Sequence, residues 1–255
     1  MAKQGALASN FYIGGFDLSG NVNALSKISG GPAALELTPI NVSAYVRAGG
    51  LRDGGMDFTT LFDSAAGQEH AALSPLVTTD QVMSFFVGPL GIGNPAASLN
   101  AKQVNYDPTR ASDGSFIFAV AGQGNGFGLE WGQALTPGLR TDGAATAAGA
   151  GNSFDTGASL AFGAQMYVHL IAFTGTSVTI KVQDSADNIT FNDIAGTSLT
   201  TTALTVAGTA TSAVRVAIPN TTTVRRYIAV GTVGTFSNAV FAVNVNKNPV
   251  AGVAF

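Results

Sequence analysis

The chain contains no cysteine, which excludes disulfides, thiolate metal sites and cysteine nucleophiles. Charge is nearly as scarce. Charged residues make up 11% of 255 residues, where about 25% is usual. That is too little to cover a free monomer in the way soluble domains are covered, so much of the surface is expected to face other subunits. No run of about 18 apolar residues occurs, so no membrane helix is expected. The opening residues hold one lysine and no apolar stretch of signal length, so no export signal is expected. Clustered lysine and arginine are missing too. A net charge of −3 argues against a surface built to grip phosphates.

Glycine, in contrast, is abundant at 32 residues, and 46% of the chain is hydrophobic. Disordered chains are charged and poor in apolar residues, so this one is expected to pack. Its charge is unevenly divided. Residues 1–133 hold 6 basic and 10 acidic side chains, a net of −4; residues 134–255 hold 6 and 5, a net of +1. Two modules are expected from this split. Residues 134–158, rich in Gly, Ala and Thr and without apolar periodicity, read as the linker between them.

In the first module, Gln81–Gly88 and Gly114–Gly122 are short apolar runs bounded by turn residues, as buried strands are. Phe127, Leu129 and Trp131 alternate with small or polar neighbours, the period of a half-exposed strand. Asp113-Gly114 marks a turn between antiparallel strands. One helix is predicted over about 60–74, from the spacing of Leu61, Ala65, Ala72 and Leu76, with Thr60 and Asp63 as a capping pair and Pro75 as the stop. Ser43–Phe58, with four glycines, reads as a long loop. Residues 159–255 form a purely β module, with strands over Met166–Phe173, Ser177–Gln183, Ser212–Ile218, Val224–Val230 and Ala239–Val245. Short strands and frequent turns point to a sandwich.

Chemistry finds little purchase. His70 and His169 form no zincin pair, and no G-x-S-x-G elbow supports a serine nucleophile. The Gly122–Gly128 run has Phe127 where a dinucleotide fingerprint needs Gly, and it joins two strands rather than opening a helix. Asp184, Asp187, Asn188 and Asp193 offer hard oxygen ligands, but not at EF-hand spacing, and an Asx-rich turn is the simpler reading. Arg225 and Arg226 point to opposite faces of a strand and make no basic patch. No catalytic, cofactor-binding or metal-binding residue is assigned, and no enzyme activity is expected.

The order of elements in the first half resembles that of major tail tube proteins of long non-contractile-tailed phages, of an actinobacterial-phage-like type. The matching features are the strand ending Leu35-Glu-Leu-Thr38, the Gly-rich stretch Arg47–Gly55, then Met56-Asp-Phe-Thr59. The helix with Gly67-Gln-Glu-His-Ala71, the hairpin at Ser112-Asp-Gly114 and the Gly122–Gly128 turn complete the series. The segments 101–110 and 182–188 are similar to stretches of virion proteins of such phages.

The resemblance implies a mainly β fold: a tail-tube-like sandwich or barrel with one short helix over 1–133, followed by a second β-sandwich as a decoration domain over 159–255. It also implies hexameric rings stacked into a tube around a DNA channel, with copies of the chain and other tail proteins as partners. DNA would pass without specific binding along an acidic or neutral wall. The location implied is the virion tail, after synthesis in the host bacterial cytoplasm. In the resembled family a loop at the place of Ser43–Phe58 reaches the neighbouring ring, so Arg47, Leu51, Arg52, Asp53 and Asp57 are the expected inter-ring residues. Two other readings compete: a capsid decoration or head protein, and a carbohydrate-binding module on a virion. A single Trp and five Tyr leave few platforms for sugar stacking.

Overall fold

A computed structural model describes residues 5–194, 199–201, 204 and 212–250. Of the expected second module, residues 195–198, 202–203, 205–211 and 251–255 lie outside it. The described residues are mainly β. The first strands are β1 (Asn10–Ile13), β2 (Phe16–Asp17), β3 (Val22–Glu36), β4 (Arg47–Leu61), β5 (Gln81–Phe86), β6 (Pro95–Gln103), β7 (Asp107–Arg110), β8 (Phe116–Gly124) and β9 (Glu130–Ala134). They continue with β10 (Arg140–Asp142), β11 (Ser153–Asp155), β12 (Ala164–Ser185), β13 (Asn192–Asp193), β14 (Leu199–Thr200), β15 (Ser212–Ala217) and β16 (Tyr227–Lys247). Every pairing is antiparallel, and all sixteen strands join one hydrogen-bonded network. No helix among the described residues is long and apolar enough to cross a membrane.

Two long antiparallel ribbons organise the network. β12 pairs with β16 along nearly their whole lengths, with register shifts between Leu170 and Ala172 and on both sides of Gly175. Residues from both ends of this ribbon, Met166, Val168, Ile180, Val182, Ile228 and Val243 among them, share one core cluster. The sequence reading took each of these strands for two with a turn between them, but Gly175 and Gly234 lie within continuous strands. Both adopt positive φ inside the ladder, and Gly175 sits at register shifts, which bend a strand without ending it.

The second ribbon is the β3–β4 hairpin, paired from Val22↔Thr60 to Glu36↔Arg47 with register shifts after Val22, Leu25 and Pro32. It corrects the expectation of a loop over Ser43–Phe58. Arg47 to Phe58 are strand, and β4 also pairs with β8 from Gly55 to Leu61. That pairing shortens the predicted helix. Thr60 and Leu61 stay in the ladder opposite Phe118 and Ile117, and Gly67 turns the chain at φ +78°. Helix α1 therefore spans only Glu69–Leu73. Its buried Glu69 carboxylate accepts bonds from the Thr60 hydroxyl at 3.0 Å and the Asp63 amide at 3.3 Å, which ties the turn to the sheet.

Residues 134–158 are not a free linker. Arg140–Asp142 pairs with β16 at Ala239–Phe241, and Ser153–Asp155 pairs with it at Tyr227–Ala229. Lys247 fastens the following turn by donating to Thr156 Oγ1 and to the Ala158 and Arg225 carbonyls, at 2.7, 2.9 and 2.9 Å. Burial holds this amine down at a pKa of about 8. The composition misled because small residues fit a sheet edge as well as they fit a linker.

The buried side chains fall into three clusters. One cluster is built from residues up to Leu129, with Phe11, Met56, Phe58, Met83 and Leu99 at its centre. Another is built from Leu135 onward. A small third cluster of Tyr12, Phe86, Ala96, Ala134 and Ala242 draws on both.

Candidate assembly surface

The β3–β4 hairpin leaves the core at Gly30 and Gly54, which face each other across the ladder. A Cβ on Gly54 would lie 2.6 Å from the Leu129 backbone nitrogen, so glycine is needed where the chain entering β9 crosses the hairpin. Gly54→Ala is expected to cost about 1–3 kcal/mol through overpacking. Differential scanning calorimetry should show a Tm lower by roughly 2–12 °C for a chain of this size. Gly49→Ala, whose Cβ would meet only the Pro32 ring from 3.5 Å outward, should leave Tm close to that of the parent.

Beyond this crossing the hairpin is an arm with both faces in water. Pro32 to Gly49 is exposed except at Thr38. The turn closes with Leu37 N–H on the Val46 carbonyl at 2.8 Å and Val46 N–H on Thr38 Oγ1 at 3.0 Å. Its side chains are apolar: Leu35, Leu37, Val42 and Val46 are exposed, Tyr45 is 69% exposed and Ile40 fully so. Residues 37–46 include no charged side chain. Seven large hydrophobic residues from Leu35 to Leu51 thus stand on one projection. Exposed apolar side chains concentrated on one projection mark an interaction surface.

The five residues expected between rings are strung along this arm. Arg47 faces Glu36 in the register, and its guanidinium sits 4.8 Å from the Tyr45 ring centroid. Leu51, 89% exposed, occupies the bulge where the register slips between Pro32 and Ala34. Arg52 lies opposite Pro32. Asp53 Oδ1 accepts the neighbouring Gly54 N–H at 2.7 Å. Asp57 is near the root, 3.9 Å from the Lys27 ammonium. Leu51 and Arg47 belong to the exposed part, whereas Asp57 already has a partner within the chain. The sequence reading singled out four charged residues and Leu51, and missed Leu37, Ile40, Val42 and Tyr45. The signal was there, in ten consecutive residues without a charge.

The remaining candidates have local roles. Asp187 accepts the amides of Ile189 and Thr190 at 2.9 and 3.0 Å, closing an Asx turn. Those bonds hold its carboxyl low, at a pKa of about 2. Arg226 forms a two-bond pair with Asp155, while Arg225 N–H donates to Asp184. His70 Nδ1 meets the Tyr106 hydroxyl at 2.9 Å within an aromatic group of Phe62, Phe116 and Phe118. Phe127, in the Gly122–Gly128 turn, lies under the Arg215 guanidinium at 3.7 Å.

His169 Nε2 contacts Ser84 Oγ at 2.9 Å, an arrangement that resembles a nucleophile and its base. Both residues are fully buried, and His169 Nδ1 has no partner to orient the ring. The pair belongs instead to a buried seam between the two cores. Ser84 joins Ser98 at 2.7 Å, and Asn244 Nδ2 donates to Ser98 at 2.8 Å. Beside them Arg215 donates to Glu130 at 3.0 Å and to the Tyr167 hydroxyl at 3.0 Å, and that hydroxyl also bonds Glu130.

No family model matches the sequence, and no curated protein does. Among solved structures, the tail of an empty GTA particle of C6 symmetry is 16% identical, over 50% of this chain and 97% of that one, with a TM-score of 0.38. The SPP1 Dit (gp 19.1) protein, described as a paradigm of the hub adsorption apparatus in phages infecting Gram-positive bacteria, is 10% identical. It aligns over 94% of this chain and 99% of that one, with a TM-score of 0.33. At TM-scores this low, neither likeness fixes the function of the chain.

Proposed function

We propose that this chain is a non-enzymatic virion structural protein that assembles with its own copies as a phage tail subunit, in stacked hexameric rings forming the tail tube. The observation that carries this reading is the apolar arm with its charge-free tip at residues 37–46. An isolated two-stranded ribbon is marginal in water, and here several apolar side chains project from one with no core beneath them. Burying each against another copy would contribute about 1.5–3 kcal/mol. The scarcity of charge elsewhere supports the same conclusion, since a surface that is covered in the assembly needs little. In this reading the first core builds the ring and the second decorates it. The net −4 of residues 1–133 suits a wall past which DNA slides without binding.

Ile40→Asp tests it. The side chain is fully exposed, so the monomer should fold with unchanged circular dichroism. Sedimentation and negative-stain microscopy should show tubes or rings for the parent at high concentration and only small species for the variant. Equal assembly by both would sink the proposal.

A further inference from the structure

We infer that the arm of one copy docks in an apolar groove at the root of the hairpin of a second copy, head to tail. The inference rests on the self-assembly reading above and names the receiving site. The groove has a volume of about 540 Å³ and is lined by Leu7, Phe11, Val22, Ala24, Leu25 and Phe85, together with Ala, Ser and Asn residues. Like the arm tip, it contains no charged side chain at all. In a chain with 27 charged residues, 12 basic plus 15 acidic, these two surfaces match in chemistry.

The groove is a built feature. The segment forming one wall is fixed where Ser9 Oγ donates to the Ala6 carbonyl at 2.8 Å and accepts Gly88 N–H at 2.9 Å. Leu7 is thereby held out at 85% exposure, an apolar rim with nothing of its own chain over it among the described residues. Phe11 and Phe85 face each other in the β1–β5 register and reach the groove from the first core.

Geometry decides that the occupant is another molecule. Val22 and Leu25 belong both to the groove and to the root of β3, whereas the charge-free tip begins after Glu36. At ~3.3 Å per residue, β3 carries Glu36 roughly 45 Å from Val22. The ladder to β4 is continuous over that span, with bulges but no break, so the tip cannot fold back into its own groove. Donor and acceptor surfaces are therefore different patches on one chain. Such a heterologous contact repeats in every copy and propagates along an axis.

The absence of cysteine makes a cross-linking test clean. Ile40→Cys and Ala24→Cys proteins, mixed and oxidised under assembly conditions, should give covalent dimers. Ile40→Cys with Ser112→Cys, in the β7–β8 turn, should give about tenfold fewer or none, and Ala24→Arg should weaken association by at least about tenfold while remaining folded. Dominant Ile40→Cys self-links would mean tip-to-tip packing and overturn the inference. So would assembly that proceeds with no link to position 24 and survives Ala24→Arg. In both cases loss of assembly in Ile40→Asp would still uphold the arm itself. A parent protein that never self-associates would overturn both readings together.

Discussion

Arg215→Ala is expected to lower stability by about 3–5 kcal/mol, the usual consequence of leaving one member of a buried ion pair alone. The retained member is Glu130, 2% exposed, which would lose its 3.0 Å bond to the guanidinium and keep only the Tyr167 hydroxyl. Tyr167 would lose a donor as well, and Phe127 its cation contact. For a chain of this length the shift corresponds to a Tm lower by roughly 6–20 °C. The double variant Glu130→Gln/Arg215→Met should recover much of that loss, because no unpaired charge is then buried. Urea unfolding of both variants checks it. An Arg215→Ala protein as stable as the parent would show that water reaches Glu130 and that the two cores separate easily.

Acid should loosen the same seam through His169. The ring is completely buried, with Tyr12 at 5.6 Å between centroids and Ser84 as its hydrogen-bond partner. Burial pushes its pKa down to about 3, against about 6.5 in an unfolded chain. The unfolded state therefore binds the extra proton between these values, and stability contributed by the neutral ring is complete above pH 6.5 or so. It is lost progressively as pH falls toward 3, by about 5 kcal/mol in total at 1.36 kcal/mol per unit. The other ionisable groups of the seam are Tyr12, Tyr167, Glu130 and Arg215. Burial raises both tyrosines far above physiological pH, so neither titrates in this window. Carboxylates elsewhere also contribute to acid unfolding, so the informative quantity is a difference. The stability gap between parent and His169→Gln should shrink, then change sign, from pH 7 to pH 4. A gap independent of pH would show that His169 is not the group responsible.

The composition determined a good deal. Missing cysteine, sparse charge and short β-branched runs set a mainly β chain held by packing. Turn chemistry at Asp113-Gly114 was also legible: Gly114 takes φ +92° and Asp113 accepts Ser115 N–H. Such signals are local, and local steric preferences decide them.

Other features needed partners distant in sequence. Glycine reads as a turn in isolation, yet Gly54 is there because Leu129 crosses it, and Gly175 and Gly234 lie within strands that continue. Thr60 and Leu61 fit the helical spacing, but pairing with β8 keeps them extended, because ladder bonds to a neighbour outweigh a weak intrinsic propensity. Only the tertiary structure brought His169 to Ser84 and Arg215 to Glu130, across 85 residues in each case. The arm depends on both levels. The ten uncharged residues are visible in the sequence, but their projection into water, away from any core of their own, follows from the antiparallel register that carries them there.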